Sequence, residues 1–250
     1  MADAEMSLKR RLTTSDLALT VSFTALYTSL SFLPLSQIIG LFGKAITAAN
    51  LIAPIIGIIL GAYLGVFSTF LGGIIALFIS PYFSLPGLVA GIVTSLCSGL
   101  LYAHKRFTCA LIYFSLLFFF GFYPFVGPVW LYPPLLWFQL IGFVILVSPM
   151  QSSALKNLNS RSNAKSFFGF FITFLTATLA GQIAGSLVFE VISWPIFTAS
   201  LDMWVGYWQF ITFLYPLERV IIALGATSIA VPLYKTLILM GFVDVQRSEG

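Results

Sequence analysis

Eight apolar stretches can be marked off between Leu17 and Met240, with only short polar breaks between them. No other feature constrains the fold as tightly. Apolar residues make up 59% of the chain and charged residues 8%, against roughly 25% charged in an ordinary soluble domain. Polar surface is too scarce to cover a water-exposed body, so lipid must be the main solvent. Backbone groups in lipid must then be satisfied within helices. The expected fold is an all-α, polytopic membrane helix bundle of about eight spans (six to eight). It divides into a short cytosolic N-terminal segment (1–16), one integral membrane domain (17–241) and a cytosolic tail (242–250).

Alternate threading of the eight stretches puts most basic residues on one face: Lys9, Arg10, Arg11, Lys105, Arg106, Lys156, Arg161, Lys165, Lys235 and Arg247. Only Lys44 and Arg219 fall on the other. Loops rich in Lys and Arg stay in the cytosol, which predicts both termini inside a multi-pass protein of the cell membrane. The net charge of +4 is then a property of short inner loops that meet anionic headgroups. Nucleic-acid binding needs a basic stripe on an exposed fold, and none is present. Cys97 and Cys109 fall at the inner leaflet, where a disulfide is not expected.

The boundaries follow from breakers and length. Pro34 stops the first helix, and residues 34–45 read as an outer loop. Residues 45–79 are too many for one crossing, since 35 residues at 1.5 Å each reach roughly 50 Å. They divide into two short helices with a tight inner turn near Gly61–Gly65. Residues 149–165 read as the longest cytosolic loop. Residues 192–216 read as an outer aromatic segment holding Trp194, Phe197, Trp204, Tyr207, Trp208, Phe210, Phe213 and Tyr215, together with Asp202.

Small residues recur at every fourth position: Gly57, Gly61 and Gly65; Gly87, Gly91, Ser95 and Gly99; Ala177, Gly181 and Gly185. That spacing puts them on one helix face, and association in lipid depends on such close backbone approach. These faces serve either internal packing or docking of another protein. On the first helix, Ala18, Ser22, Ala25 and Ser29 leave the two readings open.

Enzyme chemistry finds little support. His104 stands alone beside Lys105 and Arg106, so a paired-His zinc site is excluded, and no Gly-rich phosphate loop is present. Any energy from ATP must come from elsewhere. No cofactor is expected. Polar residues inside a membrane are costly and default to functional candidates. Here they are Asn50, Gln139, Gln182, Glu190, Glu218 and Arg219, in the middle or outer half by this threading. Beneath the aromatic segment, with Trp204 and Trp208, they describe a ligand-binding pocket open to the outside. The plainer readings are interhelical hydrogen bonds for the amides and interfacial positions for Glu190, Glu218, Arg219 and the aromatics. Glu190, Asp202 and Glu218 lean toward a cationic ligand, and Arg219 leans against one.

Three passages resemble the membrane-embedded substrate-binding (S) subunits of energy-coupling factor (ECF) vitamin transporters. The first is Leu17-Ala18-Leu19-Thr20-Val21-Ser22-Phe23-Thr24-Ala25-Leu26, similar to that family's first helix. The second is Asn50-Leu51-Ile52-Ala53-Pro54-Ile55-Ile56-Gly57, continuing to Gly72 and Gly73. The third is Leu214-Tyr215-Pro216-Leu217-Glu218-Arg219, running on to Pro232-Leu233-Tyr234. Two departures stand: S subunits have six spans, and their Ala-x-x-x-Ala appears here as Ala18-x-x-x-Ser22.

The resemblance implies a non-enzymatic subunit that captures a vitamin-like small molecule. A separate transmembrane coupling protein and a pair of ATPases would drive uptake. Ala18, Ser22, Ala25 and Ser29 would face that coupling partner. Two alternatives are a stand-alone secondary permease and an integral membrane enzyme acting on a lipid-linked substrate.

Overall fold

The computed structural model describes residues 13–194, 196 and 200–242. Lys9, Arg10, Arg11, Phe197 and Arg247, and with them most of both terminal segments, lie outside the described residues. Helix α1 spans Thr14–Leu30. Its start is fixed by a capping box: the Asp16 amide donates to the Thr13 hydroxyl, and the Thr13 amide donates to the Asp16 carboxylate. Two orphan amides are thereby satisfied.

The expected loop after α1 is a small antiparallel hairpin, β1 (Pro34–Gln37) and β2 (Ala45–Thr47), with Ser36 opposite Ile46. It is the one departure from an all-α chain among the described residues. Helices α2 (Ala49–Ile79), α3 (Leu85–Tyr102) and α4 (Arg106–Gly121) come next. A single turn, α5 (Pro128–Leu131), and another at Pro133–Leu136 lead into α6 (Trp137–Val147). Helices α7 (Pro149–Asn157), α8 (Asn163–Ser193) and α9 (Leu201–Leu239) complete the chain.

By length and composition, α2, α3, α8 and α9 are each able to cross a membrane. The segment of α6 with its preceding turn and α7, bent by 67°, makes a fifth if taken as one broken span. The protein is therefore a multi-pass helical membrane protein with four to five candidate spans.

Helix α2 doubles back on itself at Gly61, whose φ of 80° and ψ of 174° are non-helical. Side chains are all but barred from that backbone region. A Cβ on Gly65 would stand 3.1 Å from the Gly57 Cα, whereas eight residues of straight helix separate two such atoms by about 12 Å. The ends meet as well: the Lys44 ammonium donates to the Pro81 carbonyl at 3.1 Å and the Ala45 amide to the Tyr82 carbonyl at 2.9 Å. The limb after Gly61 lies parallel to α1, with the Thr28 hydroxyl donating to the Gly72 carbonyl at 3.1 Å and Thr24 meeting Ser68 at 3.1 Å.

Helix α3 fills the notch of this reversal. A Cβ on Gly57 would fall onto the Ser95 carbonyl and the Ser98 hydroxyl, and one on Gly99 would lie 2.5 Å from the Ala62 nitrogen. On its other side α3 meets α8, where a Cβ on Gly181 would collide with Thr94 and one on Gly185 would lie 3.0 Å from the Pro86 carbonyl. The small-residue faces of α3 and α8 are thus internal packing faces. The face of α1 that carries Ala18, Ser22, Ala25 and Ser29 is exposed, while Asp16, Thr20, Phe23 and Tyr27 on the opposite side are buried.

Two expected loops are helical. In 149–165, Ser148 caps and Pro149 opens α7, which buries Gln151, Ala154 and Leu155 at helical spacing. Gln151 bonds to Thr173 at 3.3 Å and accepts from Thr176 at 3.1 Å, so its polarity is consumed inside. In 192–216, α9 begins at Leu201 and runs through Pro216. A proline removes one intrahelical bond but need not end a helix that neighbours hold.

At the end away from the hairpin, the Tyr102 and Tyr234 hydroxyls meet at 2.7 Å, and Tyr234 donates to Asn159 at 2.7 Å. Tyr234→Phe is expected to lower stability by about 1–2 kcal/mol, read as a drop in the unfolding temperature in detergent. No change there would mean the chain of hydroxyls is not a structural tie.

Candidate ligand pocket

The hairpin roofs a pocket whose walls come from four helices. Helical spacing puts Gln182, Gly185, Ser186 and Phe189 on one face of α8, and Tyr207, Trp208, Ile211, Tyr215 and Arg219 on one face of α9. All nine line the pocket, and Asn50 at the start of α2 joins them. The start of α3 contributes Pro86, Gly87 and Ala90, and Pro86 and Ala90 let Gly185 of α8 approach closely. Ile38, Ile39 and Ile46 of the hairpin close the top. At Gly40, a Cβ would stand 2.7 Å from the Phe189 ring, so the roof rests on the wall itself.

The cavity is small, with a volume of about 60 Å³. Its walls are mostly apolar and aromatic with a few polar groups, as in small-molecule sites generally.

Those polar groups are incompletely satisfied by the protein. Gln182 is 7% exposed, and among the described residues neither its Oε1 nor its Nε2 has a hydrogen-bond partner. Asn50 donates from Nδ2 to the Thr47 carbonyl at 3.3 Å, and its Oδ1 accepts no hydrogen bond from the described residues. Arg219 is 3% exposed and its Nε is unpaired, with Nη2 lying 3.8 Å from Glu218 Oε2. The Ser36 hydroxyl of β1 donates to the other oxygen of Glu218. The hairpin is thereby tied to α9 through the counter-ion of the pocket's arginine.

No family model, no curated protein and no solved structure matches this chain.

Of the eight binding candidates, Asn50, Gln182, Trp208 and Arg219 line the pocket. Glu218 stands behind Arg219. Trp204 is buried against Phe189 and Trp208, with ring centroids 5.3 and 5.4 Å apart, and it supports the wall from behind. Gln139 lies apart, on α6: its carbonyl accepts from Tyr113 at 2.8 Å and its side chain is buried outside the cavity. Glu190 is fully buried on α8, its carboxylate without a hydrogen bond, and it does not line the cavity either. Asp202, counted toward a cationic ligand, is exposed and also absent from the lining.

Sequence reasoning missed the hairpin isoleucines and the first turn of α3. Nothing in Ile38 or Gly87 marks a binding residue. Among the described residues, no three His, Cys, Asp or Glu side chains gather as a metal site.

Proposed function

We propose that the protein is the membrane-embedded substrate-capture subunit of a vitamin-like uptake system of the ECF type. In this reading α2 counts as two crossings, the chain crosses the cell membrane eight times and both termini are cytosolic. The pocket faces outward, beneath its hairpin roof. The exposed small-residue face of α1, with Ala18, Ser22, Ala25 and Ser29, meets a transmembrane coupling protein, and a pair of ATPases supplies the energy. The protein itself performs no reaction.

One observation carries the reading. A carboxamide that is nearly buried, lines a cavity and has no partner costs about 1–3 kcal/mol, and a bound polar ligand relieves that cost. The aromatic walls and the roof support the same reading. A receptor needs a surface that closes over its cargo, and Ser36 gives the roof a specific tie to the wall.

The test uses purified protein. Denaturant is expected to release one small molecule per chain from the wild type and none from an Asn50→Leu/Gln182→Leu variant that still unfolds near the wild-type temperature. A wild type that releases nothing and binds nothing would end the proposal.

The permease alternative has one observation of its own, the unpaired carboxylate of Glu190. A proton-coupled permease would accumulate substrate in liposomes along a proton gradient with no ATP, and Glu190→Gln would abolish that accumulation. ATP-dependent accumulation unaffected by Glu190→Gln decides for the capture subunit.

A further inference from the structure

We infer that the pocket takes a flat, uncharged ring that carries an amide edge, meaning a ring carbonyl beside a ring N–H, as in a lactam or a cyclic urea. This rests on the capture reading above and names the class of cargo.

The first observation is Gln182. Its carboxamide offers a donor and an acceptor side by side, both unpaired, on a residue only 7% exposed. A ligand edge with an acceptor beside a donor satisfies both at once and in one plane, as the edge of adenine does for a glutamine. A lone carboxylate offers only acceptors and an ammonium only donors, so either would leave half of the amide unpaired. The unbonded Oδ1 of Asn50 adds a further acceptor in the same cavity.

Charge argues in the same direction. Arg219 is the sole charged side chain among those lining the cavity. Its counter-ion Glu218 sits behind it, 3.8 Å away, and is held by Ser36. A cationic ligand would meet the arginine with the carboxylate out of reach. An anionic ligand would bring a second negative charge to a guanidinium that already balances the buried Glu218, and like charges sharing one site are costly. A neutral ligand disturbs neither partner and can still offer a carbonyl to the free Nε.

Shape completes the argument. Tyr207, Trp208, Tyr215 and Phe189 line a small cavity, so four aromatic rings bound the space a ligand would fill. Aromatic faces set close together favour a flat ring between them.

A matched series tests the class on the full-length protein in detergent or nanodiscs: quinolin-2-one, its N-methyl derivative, quinoline-2-carboxylate and 2-(aminomethyl)quinoline. Binding is read by quenching of tryptophan fluorescence, since Trp208 lines the pocket, and by thermal shift. Quinolin-2-one is expected to bind, N-methylation to weaken it at least tenfold, and both charged analogues to bind more weakly than the lactam. Gln182→Met is expected to weaken the lactam at least tenfold and the N-methyl compound, which keeps only the carbonyl contact, far less. If that variant does not fold, the N-methyl comparison on the wild type decides.

Equal binding of the N-methyl compound, or tighter binding of either charged analogue, overturns the inference. If no quinoline binds, the molecule released by denaturant decides. A flat neutral amide supports the class. A charged or saturated molecule overturns the class and leaves capture standing. No molecule at all removes both.

Discussion

Glu218→Leu is expected to destabilise the protein by about 3–5 kcal/mol, and the double replacement Glu218→Leu/Arg219→Leu by far less. Arg219 is 3% exposed and Glu218 9%. Removing one partner strands the other's charge away from water, and only 3.8 Å separates the two groups. Removing both replaces a costly pair with apolar side chains of fitting size. The two changes share a partner, so their effects do not add, and the shortfall is the coupling energy. Reversible unfolding in detergent, driven by denaturant titration, measures all three variants. Additive losses would mean that the two groups are separately solvated and that the hairpin bond to Glu218 carries no counter-ion role.

Replacement of Gly57 by valine is the second large effect. The added Cβ falls onto a backbone carbonyl, that of Ser95, and onto the Ser98 hydroxyl. A backbone atom at the centre of three packed segments cannot step aside as a side-chain tip can. Overpacking of this kind costs about 1–3 kcal/mol and at times more. Gly61→Ala attacks the same reversal by a different route, since its φ of 80° and ψ of 174° are strained for alanine by about 1–3 kcal/mol. Gly206→Ala is the control: α9 is helical there and nothing lies within 4 Å, so about 0.5–1 kcal/mol of stabilisation is expected. Loss of folded yield in both reversal variants, with the control unharmed, is the outcome that fits. An unharmed Gly57→Val would show that the limbs do not pack as described.

The large features were legible because lipid simplifies the code. Apolar stretches and their breaks pointed to a helical membrane chain. The length of 45–79, with three spaced glycines, pointed to the reversal that Gly61 makes. Local signals failed where neighbours outvoted them. Pro216 reads as a stop but is carried inside α9. The polarity of Gln151 reads as a cytosolic loop but is spent on Thr173 and Thr176.

Half of the candidate site was legible for a related reason. Asn50, Gln182 and Arg219 are rare residue types in such segments, so composition alone marks them. Gln139 and Glu190 carry the same mark yet lie off the cavity, because rarity says nothing about which way a helix is turned. Ile38 and Ile46 show the converse: they line the cavity as ordinary isoleucines of a short hairpin whose place depends on contacts far along the chain.

The reversal at Gly61 also bears on how the chain is threaded during synthesis. Residues 44 and 45 touch 81 and 82, so α2 ends beside the point where it begins, and in the eight-crossing reading it returns the polypeptide to the side from which it departed. An out-and-back element has even parity. It sets no orientation for the helices downstream of it, and a ribosome-bound chain gains nothing by committing its first limb before the second has emerged. The limb before Gly61 reaches only about 18 Å, short of the ~30 Å hydrocarbon core, so in that reading the two limbs insert as one folded unit, each supported by the other.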